Sequence, residues 1–201
     1  MARKSTRKLW AAHVARIASP ASSIKQNATR TALAREYILG KPFEGCILGI
    51  DPSLRGTGIA IVHFQSGRAR IEFTKTLKAP RKQSMVECLG VIARSVADCI
   101  LRFDIRHVAV EESIYVQNFR TAQILGAARG AAIAPCAMRG YPLFEYPPLR
   151  IKQAVAGYGR ASKQQILASI RALTGTDLKE AYDEADAVAV AVCHAHTWRE
   201  K

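Results

Sequence analysis

The chain has 201 residues, of which 49% are hydrophobic and 23% are charged, and this composition excludes a wholly disordered protein. No apolar stretch reaches the roughly 18 residues that a membrane-spanning helix needs, so we expect a soluble protein. The 30 Lys and Arg residues outnumber the 16 Asp and Glu residues, which gives a formal net charge of +14. Such an excess favours nucleic acid as the partner, and a basic surface that only keeps the protein soluble is the alternative.

Residues 1–44 form a strongly basic segment that has no acidic residue before Glu36. We predict a basic N-terminal extension over residues 1–44, poorly ordered or containing short helices, followed by one globular domain over residues 45–201. Three interpretations of the extension stay open: an arm that contacts DNA phosphates, an organelle transit peptide, and a poorly ordered tail.

The five cysteines are widely spaced in apolar surroundings and form no CxxC pair. This pattern argues against a zinc site or a disulfide framework and predicts small buried thiols in a reducing compartment. We therefore expect a cytoplasmic protein, or an organellar one if the basic extension is a transit peptide.

From residue 46 onward, the hydrophobic pattern alternates between strand and helix periods. The predicted elements, in chain order, are strands over residues 46–51, 59–64 and 68–77, a helix over 81–103, a strand over 106–111, a helix over 119–139, a strand over 141–146, and helices over 162–174 and 182–196. Pro147 and Pro148 are expected to end the fifth strand. The order predicts an α/β fold, in which a mixed five-stranded sheet has helices on both faces.

Acidic residues occur where buried elements begin or end, without an evident packing role. Asp51 closes the first strand and Glu111 closes the fourth. Asp183 and Asp186 are three residues apart on the last helix, so their carboxylates share one face, while Glu184 points elsewhere. Singly, these acids are also compatible with turns, solvated strand ends and the positive end of a helix dipole.

Clustered carboxylates in a partly buried site repel one another and need a cation to stay ionised. Hard oxygen ligands select Mg²⁺ or Mn²⁺, and two such ions about 4 Å apart can promote hydrolysis of a phosphodiester bond. A basic protein with an acidic metal centre is the expected arrangement for a nuclease.

Five sequence blocks between Cys46 and His196 carry a family resemblance. They are residues 47–58 (ILGIDPSLRGTG), residues 110–111 with 117–118 and 125–130 (LGAARG), residues 144–146 (FEY), residues 151–157, and residues 183–189 (DEADAVA). In this order they resemble the RuvC Holliday-junction resolvases, within the ribonuclease-H-like and retroviral-integrase superfamily.

The resemblance implies a ribonuclease-H-like fold and a homodimeric, Mg²⁺-dependent endodeoxyribonuclease. Such an enzyme nicks two opposing strands of a four-way (Holliday) DNA junction symmetrically in recombination and repair, with two Mg²⁺ ions per active site that Mn²⁺ can replace. The catalytic, metal-binding acids carried over are Asp51, Glu111, Asp183 and Asp186. Lys163 is carried over as a catalytic and DNA-binding residue. Lys152 is carried over as a DNA-binding residue. The resemblance also implies a branch-migration motor complex of the RuvA/RuvB type as a partner.

The chain also departs from the family pattern. Ser53 stands where family members commonly carry Gly, and Ile114 stands where an aromatic residue often follows the strand acid. Either the adjacent Tyr115 binds DNA by stacking on junction bases, or Ile114 acts as an apolar wedge, or Tyr115 only covers its loop. These changes affect the expected substrate preference, not the hydrolysis.

Two groups of alternatives remain at the level of sequence. One is a junction-binding or nucleic-acid-binding protein without catalysis, and the other is a ribonuclease-H-like nuclease that acts on RNA or branched DNA. The histidines His107, His194 and His196 are predicted to have packing or helix-dipole roles instead of binding a metal.

Overall fold

A computed structural model describes residues 41–112, 118–179 and 181–200 of the chain. Within these residues the chain forms five strands, which are β1 (Gly45–Asp51), β2 (Gly56–Gln65), β3 (Arg68–Lys78), β4 (Ile105–Glu111) and β5 (Leu143–Tyr146). It also forms five helices, which are α1 (Met85–Arg102), α2 (Phe119–Ala137), α3 (Pro148–Ala156), α4 (Lys163–Thr174) and α5 (Tyr182–Thr197).

The strands form one mixed sheet in the order β3-β2-β1-β4-β5. Strands β1, β2 and β3 are an antiparallel meander, whereas β4 runs parallel to both β1 and β5. Because β1 and β4 are parallel neighbours, their carboxyl ends lie at the same edge of the sheet. The predicted mixed five-stranded sheet is confirmed.

Helices cover both faces of the sheet, as predicted, and side chains of β1 alternate between the two resulting cores. Ile47 packs on one face with residues of α3, α4 and α5. Leu48 and Ile50 pack on the other face with residues of α1 and α2. Helix α5 is almost wholly buried from Ala187 to Ala195, so its position is set by close packing against the sheet.

The fifth strand ends at Tyr146, directly before Pro147 and Pro148, as predicted, but helix α3, which follows it, was not predicted. Pro147 is the N-cap and Pro148 occupies the first helical position, where a missing N–H leaves no hydrogen bond unmade. The helix ends at Gly157, whose φ of 84° is in the left-handed region and whose N–H donates to the Gln153 carbonyl. The two prolines therefore start a helix at the end of β5.

The core extends to Phe43, whose ring is 3% exposed and packs edge-on to Trp198. Lys41 forms a β-bridge with Glu200, so the two ends of the described chain meet. Packing thus reaches two residues upstream of the predicted domain start at residue 45. Residues 1–40 of the predicted extension lie outside the described residues.

Two further sequence features can be located in the structure. All five cysteines are free and buried, as predicted. In the described part of the chain, no helix combines the length and the apolar character that a bilayer crossing requires.

Candidate active site

Two of the predicted acids meet at the carboxyl edge of the sheet. Asp51 is the last residue of β1 and Glu111 is the last residue of β4, and the strands are in register at Ile50 and Val110. The two carboxyl groups are hydrogen-bonded to each other. Two adjacent carboxylates repel each other when both are ionised, so this pair favours the retention of a proton.

The other two acids reach this edge on the first turns of α5. Asp183 and Asp186 are both half-buried, and the charges of both act on Asp51. The two carboxylates therefore lie on one face of α5, as predicted. Glu184 faces away, as predicted, and accepts a hydrogen bond from the Thr74 hydroxyl of β3.

Three glycines allow α5 to lie close enough to the sheet to deliver these acids. A Cβ atom at Gly58 of β2 would overlap the backbone carbonyl of Asp183, and one at Gly49 of β1 would overlap the carbonyl of Ala187. At Gly56, a Cβ atom would lie 3.2 Å from Asp183 Oδ2. The lack of side chains at these positions sets the separation between α5 and the strands.

The turn after Asp51 is braced by its own hydrogen bonds. The Ser53 N–H donates to Thr57 Oγ1 at 3.1 Å, and the Thr57 hydroxyl donates back to the Ser53 carbonyl. Because the bracing uses the backbone of Ser53, the exchange of the family's usual Gly for Ser leaves it intact.

Burial and like charge raise the pKa values of the acids. The pKa of Asp51 is raised to about 8, first by burial and then by the charges of Glu111, Asp186 and Asp183. Burial also raises the pKa of Glu111, although the hydrogen bond from Asp51 opposes the shift. Burial raises the pKa of Asp186, and the Lys163 ammonium opposes it. The site therefore has more carboxylates than it can keep ionised without a cation.

The two predicted lysines supply positive charge beside the acids. Lys163 Nζ lies 3.5 Å from Asp186 Oδ2 and 5.6 Å from the centroid of the Tyr182 ring. Lys152, on the unpredicted helix α3, is close enough for its charge to lower the pKa values of Glu111 and Asp186. Both lysines therefore lie within electrostatic range of the acids.

The donor set suits a hard divalent cation, because all four acids offer carboxylate oxygens. In the described residues, no three His, Cys, Asp or Glu side chains are already grouped as a coordination shell. The Lys163 ammonium, 3.5 Å from Asp186 Oδ2, compensates part of the negative charge. Raised acid pKa values are the condition under which a cation and a proton compete for the same oxygens.

Comparison with known proteins identifies the family of this fold and site. The family model described as crossover junction endodeoxyribonuclease RuvC matches residues 47–194. The chain belongs to the RuvC family. The matched residues run from β1 to α5 and include the four acids and both lysines, and membership implies a divalent-metal-dependent nuclease.

Curated RuvC relatives cover most of this chain. It is 46% identical over 151 residues to the crossover junction endodeoxyribonuclease RuvC of Halorhodospira halophila, spanning 75% of this chain and 89% of that protein. It is 39% identical over 158 residues to the RuvC of Moorella thermoacetica, spanning 77% of this chain and 95% of that protein.

Solved RuvC structures have the same fold. The RuvC of T. thermophilus in complex with a Holliday junction substrate is 32% identical, with a TM-score of 0.69 over 76% of this chain and 94% of that chain. The yeast mitochondrial Holliday junction resolvase Ydc2 is 11% identical, with a TM-score of 0.57, and shows the fold alone. The predicted ribonuclease-H-like fold is thereby confirmed.

The remaining predicted residues lie elsewhere or outside the described chain. Tyr115 and Ile114 fall within residues 113–117, which lie outside the described residues. His194 is fully buried, with His107 Nδ1 at 2.9 Å and the Tyr146 hydroxyl at 2.8 Å from its ring nitrogens. These histidines pack in the core, and His196 Nδ1 lies 3.3 Å from the Ala154 carbonyl.

Sequence reasoning missed three contributors to this RuvC-type site. Gly49 lets α5 approach the sheet closely, and the Tyr182 ring lies near the Lys163 ammonium. Arg55 donates hydrogen bonds to the carbonyls of Pro80 and Gln83. The glycine could have been suspected, because it interrupts an apolar strand. The other two depend on contacts between distant segments.

Proposed function

We propose that this RuvC-family protein is a crossover junction endodeoxyribonuclease that resolves four-way DNA junctions. The observation that carries the proposal is the meeting of acids from two strands and one helix, where Glu111 and Asp186 raise the pKa of Asp51. The fold shared with T. thermophilus RuvC, solved with a Holliday junction substrate, supports the choice of substrate. The net charge of +14 supports a polyanionic partner.

The residues proposed to hold divalent ions are Asp51, Glu111, Asp183 and Asp186. We propose Mg²⁺, with two ions per site and Mn²⁺ able to replace it, because the donors are all carboxylates. When bound, such ions activate a water and stabilise the leaving oxygen of a phosphodiester. Any proton that Asp51 or Glu111 holds then has to leave, since a carboxyl group binds a cation in its ionised form.

The two lysines are proposed to act on the DNA backbone. Lys163 has 64% of its side chain exposed, so its ammonium can move from Asp186 to a phosphate near the cleaved bond. This movement would leave Asp186 free to bind a cation. Lys152 is proposed to contact DNA from α3, and Tyr115 stays a predicted DNA contact in a segment outside the described residues.

The proposed assembly is a homodimer, because two active sites related by a two-fold axis can cut both strands of a two-fold junction. A branch-migration motor complex of the RuvA/RuvB type is the proposed partner that delivers the junction. The five free thiols support a reducing compartment, and we propose the cytoplasm.

The decisive experiment compares a labelled synthetic four-way junction with a matched linear duplex, in Mg²⁺ or in EDTA. We expect paired symmetric nicks in the junction, in Mg²⁺ only. Asp51→Asn should bind the junction without cutting it, whereas Asp104→Asn, which removes an exposed carboxylate before β4, should cut normally.

Two results would contradict the proposal. Tight binding without cleavage, across varied core sequences and metals, would favour a junction-binding protein without catalysis. Preferential cleavage of structured RNA would favour a different ribonuclease-H-like nuclease.

A further inference from the structure

A basic surface lies beside the candidate active site, at the end of β3 and on the loop between β3 and α1. It consists of Lys78, Arg81 and Lys82, all exposed, and we call it the β3–α1 basic loop. None of the ion pairs among the described residues involves these three side chains. The nearby acid, Glu87, accepts hydrogen bonds from the Ser84 N–H and hydroxyl in the capping box of α1. The loop therefore presents three positive charges to solvent.

Arg55 fixes this loop to the turn that follows Asp51. Its guanidinium donates to the Pro80 carbonyl at 2.5 Å and to the Gln83 carbonyl at 3.1 Å. The Ala79 N–H donates in turn to the Arg55 carbonyl at 3.2 Å. Three hydrogen bonds thus hold the loop in a defined position relative to the candidate active site.

The strand register gives the approximate separation between the loop and Asp51. Asp51 of β1 is opposite Gly58 of β2, and Gly58 is opposite Thr76 of β3. Two strand spacings amount to about 10 Å, and Lys78 is two residues beyond Thr76. Combining the two offsets places Lys78 about 12 Å from Asp51, which on duplex DNA corresponds to roughly three to four base-pair steps along the axis.

We propose that the β3–α1 basic loop binds phosphates of the duplex arm next to the cleavage site, about three to four nucleotides from the phosphate that faces Asp51. The inference rests on the proposed function for the position of the cut. Three exposed ammonium and guanidinium groups without acidic partners are suited to bind a row of backbone phosphates. The Arg55 hydrogen bonds hold these groups at a constant distance from the candidate active site.

The first test measures junction binding against salt concentration in EDTA, where cleavage is not needed. The triple variant Lys78→Gln, Arg81→Gln, Lys82→Gln should have a slope of log K against log salt that is less negative by about 2.7, because three phosphate contacts are lost. The control triple variant Lys41→Gln, Arg68→Gln, Arg139→Gln removes the same charge from exposed positions at the opposite edge of the sheet. An equal change in both variants, or none in the first, would overturn the proposal.

The second test locates the contacts on DNA with the wild-type protein. Single neutral methylphosphonates are placed along each strand of one junction arm, and binding is measured in EDTA. Loss of affinity should centre about three to four nucleotides from the cleaved phosphate, and the loop variant should show no further loss there. Losses only at other positions would overturn the proposal. A failure of the proposed function would instead show as absent cleavage in Mg²⁺, which these binding measurements do not use.

Discussion

The ammonium of Lys163 lies 3.5 Å from the carboxylate of Asp186, and this ion pair joins the start of α4 to the first turns of α5. The pair is partly exposed, so the attraction alone contributes little stability. The Tyr182 ring also faces this ammonium, with its centroid 5.6 Å from Nζ. The aromatic face therefore narrows the range of positions that the ammonium can adopt.

Replacing Tyr182 by Leu should slow cleavage of bound junction about two- to five-fold, because an exposed cation–π contact contributes about 0.5–1 kcal/mol. Tyr182→Phe should retain the wild-type rate, since the contact uses the ring and not the hydroxyl. Single-turnover cleavage at saturating protein measures the effect. A Tyr182→Phe variant as slow as Tyr182→Leu would show that the hydroxyl, not the ring, is what Lys163 needs.

Asp51→Asn should stabilise the protein in the absence of divalent metal at pH 8. The folded-state pKa of about 8 lies above the ordinary value of 3.8, so the stability present at low pH is lost as the pH rises through this range. Because the neighbouring acids take up part of the penalty of ionisation, we expect a gain of about 3 kcal/mol, or about 6–12 °C in melting temperature. Thermal melts in EDTA at pH 5 and pH 8 give the measurement.

The control for this prediction is Asp104→Asn, which removes a carboxylate remote from the site. Its melting temperature should follow that of the wild-type protein at both pH values. A gain for Asp51→Asn that is equal at pH 5 and pH 8 would contradict the assigned pKa direction.

Gly58→Ala should raise the Mg²⁺ concentration needed for half-maximal cleavage about ten-fold, because the new Cβ atom would push Asp183 and α5 away from β2. We also expect a loss of about 1–3 kcal/mol in the free energy of unfolding. Gly126→Ala is the matched control, since nothing lies within 4 Å of a Cβ atom there. Mg²⁺ titration of cleavage and urea unfolding would test both effects, and wild-type behaviour of Gly58→Ala would refute the spacing argument.

His194→Gln should make unfolding less dependent on pH in the acid range. Burial and the neighbouring His107 lower the pKa of His194 to about 3, so the stability present above the ordinary pKa of about 6.5 is lost as the pH falls. We expect a flatter stability profile between pH 6.5 and pH 4, and a cost of about 1–3 kcal/mol at pH 7 from disturbed hydrogen bonds.

Urea unfolding across this pH range measures the profile. His63→Gln, a substitution of another histidine, on β2, serves as the control and should keep the wild-type slope. An unchanged slope in His194→Gln would assign the acid sensitivity to other groups.

Removal of residues 1–40 should leave the cleavage rate of bound junction unchanged, because the candidate active site and the core described around it are formed by residues from Phe43 onward. If those residues form a DNA-contacting arm, the salt dependence of junction binding should weaken. Binding titrations at several salt concentrations decide the point, and an unchanged slope would favour a tail without contacts.

The sheet and the positions of the acids followed from sequence because local patterns determine them. An apolar run that ends in Asp51, or in Glu111, marks a buried strand with a polar end. The i, i+3 spacing of Asp183 and Asp186 needs only a helix to place both on one face. Each of these relationships lies within a single strand or helix, so the hydrophobic pattern of that element was sufficient to predict it.

Helix α3 escaped prediction because two competing proline rules apply at the same place. Proline interrupts a helix or strand when it lies in the interior, but it is well tolerated at the first helical position. Only the tertiary arrangement decides which of these two effects applies. The ring of Tyr182 and the hydrogen bonds of Arg55 join segments that are far apart in sequence. The hydrophobic periodicity of a single element does not predict such contacts. The proximity of Lys152 to the acids depends in turn on α3.

The two prolines that connect β5 directly to α3 also reduce the conformational entropy that the chain loses when this part of the site folds. The φ angles of Pro147 and Pro148 are restricted before folding begins, so the unfolded chain has fewer conformations to lose there. Lys152 follows four residues after Pro148, on a helix whose first turn the prolines have already biased. The edge strand and the lysine are therefore joined by a stiff segment, and the positive charge reaches the acids at a low conformational cost.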